Sequence, residues 1–416
     1  MASLRVFANL RPMGAFGFEA GQFFFEYDAE WLALEPHYVL SPQFPLRAER
    51  FEGASVKFFF QNLLPEGPVL EAISHETGIE LGNLFGLLAH LGRDCAGAIS
   101  LLPEGQAPVA AQTYRSLDVE LLRERIANRA THPLIASNPG SSMSLAGAQD
   151  KVGVRFDPKS GRLWEPVADS PSTHILKPEN RNPQYPSCVM NEYISLRLAR
   201  RVGLPAVNCW RLPLPEPVLI VERYDRADVD GNIVRRHQVD FCQLLDKDGF
   251  FKYERNAALI GLPQIFARAG EFVASGRVRL SLVDWVVFNF LIGNADAHAK
   301  NLSALVTPEG LRLAPFYDLL CVTAYGDERL ALHIGDAGTF AEVTSVQWEA
   351  FCADCGLGFA EFRKRLEMLA KRVVQGFALE TKSLDYPSDE DARIIDRMHA
   401  TIQAHARFVR QALRKD

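Results

Sequence analysis

The first part of the chain alternates short β-rich runs with turns. Aromatic and aliphatic residues predict strands at residues 4–10 and 22–27, because turn-forming residues bound both runs. Gly14, Gly17 and Gly21 lie around this break and at first sight look like a phosphate-binding loop. A β-rich run follows them where a phosphate loop would open a helix, so the pattern favours a β-hairpin.

Helical periodicity appears at residues 191–202, where apolar residues recur on one face up to the stop signal Gly203. Residues 282–293 are apolar nearly all round and predict a buried helix. Residues 359–377 and 389–413 have the pattern of long amphipathic helices. The inner stripe of the last helix contains Ile394, Ile395, Met398 and Ile402.

These elements predict an α+β protein with two lobes. Strand-like runs occur at residues 151–156, 173–177 and 218–221, and the chain becomes helical from about residue 240. We therefore expect a mixed α/β N-lobe and an all-α C-lobe. The predicted divisions are residues 1–110, an N-terminal subdomain, 111–225, the rest of the N-lobe, and 226–416, the helical C-lobe.

Composition narrows the class of protein. The 416 residues are 48% hydrophobic and 23% charged, which excludes a disordered or fibrous chain. The formal net charge is −6, the opposite of the balance expected for a protein that holds nucleic acid along its whole face. The N-terminus lacks a signal-peptide pattern and no apolar stretch is long enough to cross a bilayer, so we expect a cytoplasmic protein with no membrane partner.

The seven cysteines lack the spacing of a disulfide framework, which is typical of a reducing cytosol. Cys352 and Cys355 form a Cys-x-x-Cys motif. The sequence has no second pair for zinc and no βαβ pattern around the motif, so buried helical cysteines are the favoured interpretation.

The stretch richest in chemistry, residues 293–301, directly follows the apolar helix. Its sequence is Gly-Asn-Ala-Asp-Ala-His-Ala-Lys-Asn. Burying so many polar groups beside an apolar helix costs free energy unless the groups face a ligand. Asp296 and Asn301 are five residues apart. The catalytic loop of kinases has the same spacing between an Asp that takes the proton of the substrate hydroxyl and an Asn that binds a metal ion. Taken alone, each residue also fits an ordinary loop after a helix, in which polar side chains form hydrogen bonds only within the loop. His298 suits a structural hydrogen-bonding role.

Asp318 follows two further strand-like runs, at residues 302–306 and 311–314. A loop, a hairpin and then an Asp beside an aromatic residue is the order found in kinases. Asp318 is therefore the predicted second protein ligand for Mg²⁺, a hard cation that takes oxygen donors.

Phosphate groups need cations and backbone N–H groups. Lys177 ends an apolar strand and Glu192 lies in the next helix, and a strand Lys paired with a helix Glu orients phosphates in kinases. Both also fit simpler roles, as a surface lysine and as a first-turn acid that favours the helix dipole. Small residues between Ser144 and Lys151 suit a flexible loop over phosphates, although they do not form a Walker A motif.

Taken in chain order, these segments resemble the HipA family, serine/threonine kinase toxins of bacterial type II toxin–antitoxin modules. The resemblance covers nearly the whole chain. Its motifs are Phe-Phe-Gln-Asn-Leu-Leu-Pro-Glu at 59–66, Ser-Leu-Ala-Gly-Ala-Gln-Asp-Lys at 144–151, Thr-His-Ile-Leu-Lys-Pro at 173–178, Asn-Glu-Tyr at 191–193, Val-Glu-Arg-Tyr-Asp-Arg at 221–226, Asn-Ala-Asp-Ala-His-Ala-Lys-Asn at 294–301 and Phe-Tyr-Asp at 316–318. Two positions depart from the family pattern, Ala297 in place of Gly and Asp150 in place of Glu.

The resemblance implies a two-lobe protein-kinase-like fold that uses ATP and Mg²⁺. Asp296 would be the catalytic base, with Asn301 and Asp318 as metal ligands. Lys177 would touch the phosphates, with Glu192 as its possible partner. The implied ATP-binding residues are Ala146, Gly147, Ala148, Gln149, Lys151, Lys177, Glu222, Tyr224, Asp225 and Lys300.

At the hinge, the resemblance implies that Glu222 and Tyr224 meet adenine through backbone groups and that Asp225 meets the ribose. It also implies self-phosphorylation of Ser144, which shuts the kinase off. Ser141 and Ser142 are neighbouring candidates for that modification.

The implied partners are a helix-turn-helix antitoxin, operator DNA reached through the antitoxin, and a protein substrate in translation such as an aminoacyl-tRNA synthetase. Two other functions stay open. One is a nucleotide-binding corepressor scaffold that acts mainly through a DNA-binding partner. The other is a small-molecule phosphotransferase, which shares the loop chemistry but not the N-terminal match.

Overall fold

The structure is a computed structural model that describes residues 2–129, 132–136, 143–144, 147, 149–213, 215–254, 260–382, 384 and 388–412. The chain forms two compact units that alternate along the sequence. Unit 1 contains Met1–Pro178, Leu212–Gly249 and Ser303–Arg312, and unit 2 contains Glu179–Arg211, Phe250–Leu302 and Leu313–Asp416. The division therefore differs from single boundaries after residues 110 and 225.

Unit 1 begins with an antiparallel five-stranded sheet. Its strands, in sheet order, are Phe51–Glu52, Gln22–Tyr27, Arg11–Glu19, Ala2–Ala8 and Ile99–Pro103. Gly14 and Gly17 lie inside the strand Arg11–Glu19 and Gly21 lies in the turn after it, so these glycines belong to a β-hairpin with Gln22–Tyr27, as expected. The segment that was predicted only to separate two strands is itself a strand. A Cβ on Gly14 would lie 2.1 Å from the carbonyl oxygen of Glu26, which explains the glycine at this close cross-strand approach.

Aromatic side chains form the core beneath this sheet. The helix Ala54–Gln61 packs on it through Phe59 and Phe60, both buried. The Phe60 ring stacks on Phe16 with centroids 4.0 Å apart. The Phe-Phe-Gln motif is thus a packing element of the N-terminal subdomain.

A second antiparallel sheet in unit 1 carries the predicted strand lysine. Five of its strands, in order, are Val218–Glu222, His174–Pro178, Val152–Asp157, Arg162–Val167 and Thr113–Leu117. The strand with Lys177 has a neighbour on each side, because His174–Leu176 pairs with 152–154 and the whole strand pairs with Val218–Glu222. All three strands predicted in this region are confirmed to within a residue or two.

The remaining elements of unit 1 are short. Its helices are Ala29–Ala33, Ala54–Gln61, Gly67–Thr77, Leu84–Leu91, Val119–Asn128 and Phe241–Leu244, with a 3₁₀ turn at Leu134–Ala136. Its other paired strands are Asp94–Cys95 with Met143–Ser144, Arg226–Val229 with Asn232–Arg235, and Gln238–Asp240 with Ser303–Thr307 and then Gly310–Leu313. A strand at Cys209–Leu212 and a 3₁₀ turn at Gly249–Lys252 carry the chain across unit boundaries.

Unit 2 is mainly helical. Its helices are Cys188–Arg201, Leu262–Arg268, Ser275–Ile292, Ser345–Asp354, Phe359–Lys382 and Asp389–Ala412, with 3₁₀ turns at Ala269–Glu271, Ala299–Asn301, Thr323–Tyr325 and Phe340–Glu342. The hairpin of Arg329–Ile334 with Ala337–Thr339 corrects the expectation of an all-α lobe. Its first strand reads Arg-Leu-Ala-Leu-His-Ile, in which good helix formers hide the strand from a propensity argument.

The long helices of unit 2 have the predicted burial. Every residue from Leu282 to Ile292 is buried, and so is the inner stripe of the last helix. Cys352 and Cys355 are buried free thiols at the end of Ser345–Asp354, as predicted. Within the described ranges, no helix is both long and apolar enough to span a bilayer, and no three His, Cys, Asp or Glu side chains gather in a metal-binding cluster.

Candidate active site

The catalytic-loop segment of unit 2 begins where the buried helix Ser275–Ile292 stops. Gly293 caps that helix with φ of 72°, a left-handed conformation that favours glycine. A Cβ at Gly293 would also lie 2.1 Å from Thr323 Oγ1, so the turn is closed by packing as well as by backbone conformation. The segment after it is thereby held close to the end of a rigid helix.

Hydrogen bonds within the loop fix the backbone of Asp296. Its N–H donates to Asn294 Oδ1 at 3.1 Å. Its carbonyl oxygen accepts from the His298 N–H and from Asn301 Nδ2, each at 2.8 Å. The predicted base and the predicted metal ligand five residues later are therefore parts of one hydrogen-bonded turn.

Asn294 joins this turn to the segment that carries Asp318. Its Nδ2 donates to Asn289 Oδ1 at 2.8 Å and lies 3.5 Å from the carbonyl oxygen of Asp318. Asn289 in turn donates to the carbonyl oxygen of Trp285 inside the buried helix. The structure thus brings Asp296, Asn301 and Asp318 together.

The donor chemistry fits a magnesium ion. Asn301 uses its Nδ2 on Asp296, and within the described chain its Oδ1 has no hydrogen-bond donor, so a neutral oxygen is left for a cation. Asp318 supplies a carboxylate and has φ of 56°, which is costly for a residue with a side chain and is concentrated at functional sites. Lys300 directly precedes Asn301 in sequence. It is buried, and its carbonyl oxygen accepts from the Tyr317 hydroxyl at 2.7 Å.

Two other predicted residues lie in unit 2 with defined surroundings. His298 is buried and its ring meets the Tyr253 ring edge-on, with centroids 5.0 Å apart, in keeping with a structural role. Glu192 is buried in the second turn of Cys188–Arg201. Its pairing with Lys177, which belongs to unit 1, stays a prediction.

Tyr253, which no sequence motif indicated, lies beside the predicted base. The hydroxyl of Tyr253 donates to Asp296 Oδ1 at 2.5 Å, across 43 residues of chain. Nothing in the sequence near Tyr253 resembles a motif. The role of Asn294 was also missed, but a polar side chain so close to a run of buried residues needs a partner, and that requirement is a usable signal.

In unit 1, the structure describes the predicted strand lysine and part of the predicted phosphate loop. The charged side chain of Lys177 is only 7% exposed, and its strand lies between two others. Gly147 has φ of 106°, and a Cβ there would lie 2.7 Å from Lys151 Nζ, so the bare backbone leaves room for that ammonium group. Gln149 Nε2 lies 3.5 Å from the carbonyl oxygen of Pro178, just beyond the lysine. Ala146 and Ala148 lie outside the described residues.

Ser144 is fully buried in unit 1. Its hydroxyl donates to the carbonyl oxygen of Leu63 at 2.6 Å, and its backbone pairs in parallel with Cys95. A phosphoryl group therefore reaches this hydroxyl only if the short strand leaves its place. Ser141 and Ser142 lie outside the described residues.

The hinge segment separates into exposed and buried groups. Glu222 ends its strand opposite His174, and Tyr224 donates its hydroxyl to Gln238 Oε1; both are partly exposed. Asp225 is buried, and Arg223 binds both of its oxygens, at 3.0 and 2.8 Å.

The Asp225 carboxylate belongs to a buried ionic cluster. Burial alone raises the pKa of Asp225, but Arg223 and Arg226 outweigh it and hold that pKa below the usual range. Arg226 and Arg235 also bind Asp94 Oδ1, at 2.8 and 3.0 Å. The cluster anchors the hinge to the segment that begins at Asp94. Asp225 therefore has a structural role in the hinge, and its contact with ribose stays a prediction.

Known proteins share this arrangement of segments. The HipA N-terminal domain family matches residues 4–102, and the HipA-like C-terminal domain family matches residues 143–377, more than half of the chain. The chain belongs to the HipA family. The resemblance inferred from the sequence motifs is confirmed.

Full-length relatives support the same assignment. The putative kinase Y4mE of Sinorhizobium fredii is 36% identical over 407 residues, 94% of each chain. The serine/threonine-protein kinase toxin HipA of Shewanella oneidensis is 31% identical over 392 residues, 91% of this chain and 88% of that protein. A structure of HipA from Shewanella oneidensis MR-1, solved with HipB and its operator DNA, has a TM-score of 0.86 at 28% identity and covers 99% of this chain and 100% of that one. This HipA-family chain has the α+β kinase-like fold and is a serine/threonine protein kinase.

Proposed function

We propose that this HipA-family chain is an ATP- and Mg²⁺-dependent kinase toxin that phosphorylates a serine or threonine of a translation protein, such as an aminoacyl-tRNA synthetase. One observation carries the proposal. Asp296, Asn301 and Asp318 are held in one network through Asn294, and this is the set that a base and two metal ligands require. A scaffold that only binds nucleotide needs no base.

Each residue has a defined task in the proposed reaction. Asp296 accepts the proton of the acceptor hydroxyl as its oxygen attacks the γ-phosphorus and ADP leaves. Asn301 and Asp318 hold Mg²⁺, which neutralises charge on the phosphates. The Lys177 ammonium group binds the phosphates, with Glu192 as its proposed partner.

The phosphate loop and the hinge complete the proposed nucleotide contacts. Backbone N–H groups of residues 146–149 and the ammonium groups of Lys151 and Lys300 contact phosphate oxygens, because such groups complement negative charge. Backbone groups of Glu222 and Tyr224 contact adenine. Asp225 is left out of this proposal, because arginines engage both of its oxygens.

We also propose that self-phosphorylation of Ser144 switches the kinase off. The hydroxyl is buried, so the loop must leave its place before the reaction. A phosphate adds about −1.5 to −2 charge and three acceptor oxygens, which the pocket around Leu63 and Cys95 does not accommodate. The phosphorylated loop then stays displaced from its buried position, and its N–H groups no longer contact the phosphates of ATP.

The proposed partner is a small helix-turn-helix antitoxin that brings the kinase to operator DNA. The support is the related HipA, whose structure was solved together with HipB and operator DNA. The net charge of −6 favours an indirect route to DNA through the antitoxin. The related complex with HipB and operator DNA also favours the second candidate, a corepressor scaffold whose phosphoryl transfer is slow.

A labelling experiment tests the kinase proposal. The purified chain is incubated with γ-labelled ATP, Mg²⁺ and a cell lysate, and labelled proteins are identified by mass spectrometry. We expect one dominant labelled translation protein with the wild-type chain and none with Asp296→Asn. Equal labelling by both chains rejects Asp296 as the base, and no labelling by either chain favours the scaffold.

A further inference from the structure

Tyr253 reaches the proposed base from outside every kinase-like motif. Its hydroxyl donates to Asp296 Oδ1, and Tyr253 directly follows the 3₁₀ turn Gly249–Lys252. Across the described ranges, no other side chain donates a hydrogen bond to this carboxylate.

The phenol is itself held in place. Its ring meets the buried His298 ring edge-on, with centroids 5.0 Å apart. Lys252 Nζ lies 5.2 Å from the centre of the same ring, within range of a cation–π attraction. Since His298 and Asp296 belong to one loop, Tyr253 contacts that loop at two points, and its hydroxyl has a defined position relative to the base.

The backbone of Asp296 is fixed, whereas the rotation of its carboxylate is not fixed by the loop. Three hydrogen bonds, from and to Asn294, His298 and Asn301, all involve the Asp296 peptide groups. The terminal torsion of an aspartate is broad, so these bonds leave the carboxylate plane undetermined. The Tyr253 hydroxyl sets that plane through Oδ1, and Oδ2 receives no hydrogen bond from the part of the chain that is described.

We propose that Tyr253 is a positioning residue for Asp296, which binds Oδ1 and so presents Oδ2 to the hydroxyl of the protein acceptor. The inference rests on the proposed function, in which Asp296 takes that proton. A base works only within hydrogen-bond reach of the proton that it accepts, and a small misplacement lowers the rate strongly. The opposite arrangement, in which the phenol occupies the place of the acceptor and blocks it, predicts the reverse effect of removing the hydroxyl.

Tyr253→Phe tests the inference in the full chain. The substitution removes the hydroxyl and keeps the ring against His298. With γ-labelled ATP, Mg²⁺ and lysate, we expect the labelling rate at saturating ATP to fall roughly 10- to 100-fold. The apparent KM for ATP and the thermal unfolding midpoint stay unchanged, since the nucleotide contacts and the ring packing are intact.

Tyr193→Phe is the matched control. The Tyr193 hydroxyl accepts a hydrogen bond from Arg197 Nη1 at 2.9 Å on the helix Cys188–Arg201, away from the catalytic loop in sequence. Like Tyr253→Phe, this variant loses one hydroxyl and one hydrogen bond. Its labelling rate should equal that of the wild type.

The outcomes separate this inference from the proposed function. If the wild type labels a protein, Asp296→Asn labels none and Tyr253→Phe matches the wild type, the positioning role alone is overturned. A faster Tyr253→Phe chain overturns it in favour of a blocking phenol. A rate loss accompanied by a raised KM for ATP or a lower unfolding midpoint assigns Tyr253 a merely structural role. If the wild type itself transfers nothing, the proposed function fails first and the inference falls with it.

Discussion

The side-chain amide of Asn301 donates to the carbonyl oxygen of Asp296 at 2.8 Å. This bond links the proposed base and the proposed metal ligand within one turn of chain. It also leaves the amide oxygen of Asn301 for a cation, because the nitrogen is already engaged. A single short segment therefore sets both the proton acceptor and one side of the metal site.

Asp296→Asn and Asp318→Asn should lose activity for different reasons. The first keeps the shape but removes the proton acceptor, so transfer should fall roughly 10²- to 10⁴-fold while ATP affinity is largely retained. The second weakens the magnesium site and should lower both transfer and Mg²⁺-dependent ATP affinity. Transfer rates and nucleotide titrations with and without Mg²⁺ check both. Wild-type rates in Asp296→Asn would contradict the kinase mechanism.

Gly147→Ala should weaken ATP binding. The new Cβ would lie 2.7 Å from Lys151 Nζ and displace the ammonium group that we assign to the phosphates. Gly161→Ala is the control, since Gly161 also has a positive φ, of 70°, but no atom lies within 4 Å of the added carbon. Both variants should lose about 1–2 kcal/mol of stability from the backbone conformation. Only Gly147→Ala should raise the Kd for ATP in a titration, and equal Kd values for both variants would remove the phosphate-loop role.

Ser144→Ala should abolish the self-phosphorylated form. Mass spectrometry after incubation with ATP and Mg²⁺ should find phosphate on Ser144 in the wild type and none in the variant. Ser160→Ala removes an exposed serine that bonds Asp157, and it should leave the modification unchanged.

The phosphorylated fraction should also bind ATP more weakly. Its strand no longer pairs with Cys95, so the loop leaves its place and its N–H groups no longer contact the nucleotide. Ser144→Asp should imitate this only in part, having less charge and fewer acceptor oxygens. Phosphate on Ser141 or Ser142 would reassign the site. Normal ATP binding by the modified protein would disprove the switch.

His237 should make unit 1 less stable in acid. Burial lowers the pKa of His237 to about 4, although its ring nitrogen is hydrogen-bonded to the Leu40 carbonyl oxygen at 2.7 Å. The folded pKa is thus below the unfolded value of 6.5, so the unfolded chain takes up the proton first as the pH falls. The stability from this residue is complete above 6.5 and is lost toward 4, by up to about 3 kcal/mol.

Urea unfolding followed by circular dichroism at pH values across this window measures the effect. His237→Gln should show a smaller loss of stability on acidification, even if it is less stable near neutral pH. His90→Gln replaces an exposed histidine and should keep the wild-type pH dependence. An unchanged slope in His237→Gln would exclude His237 as a cause.

The purified chain should bind DNA weakly by itself. Its net charge of −6 gives no general attraction to phosphate, so affinity should appear only with a helix-turn-helix partner. Gel-shift titrations with operator DNA from the flanking region, with and without that partner, test this. Tight, sequence-selective binding by the chain alone would contradict the indirect route.

The local elements and the order of the motifs could be predicted from the amino-acid sequence. The hairpin around Gly21 could be predicted because a β-rich run follows the glycines, and the buried helix before Gly293 because its residues are apolar nearly all round. Asp296 and Asn301 could be paired from spacing alone, because hydrogen bonds within one short loop depend on near neighbours. These features are local, so the residues that specify them are adjacent in the chain.

Contacts between residues far apart in the chain could not be predicted and became visible only in the folded protein. Tyr253 meets Asp296 across 43 residues, and Asp225 is enclosed by arginines together with Gly97, 128 residues away. The hairpin at Arg329–Ile334 and the burial of Ser144 against Leu63 were likewise set by packing. Composition and periodicity report which residues prefer to be buried, but they carry no information on which buried groups meet. That choice is made only when the whole core closes, because the free energy of each polar contact depends on the partners that packing brings to it.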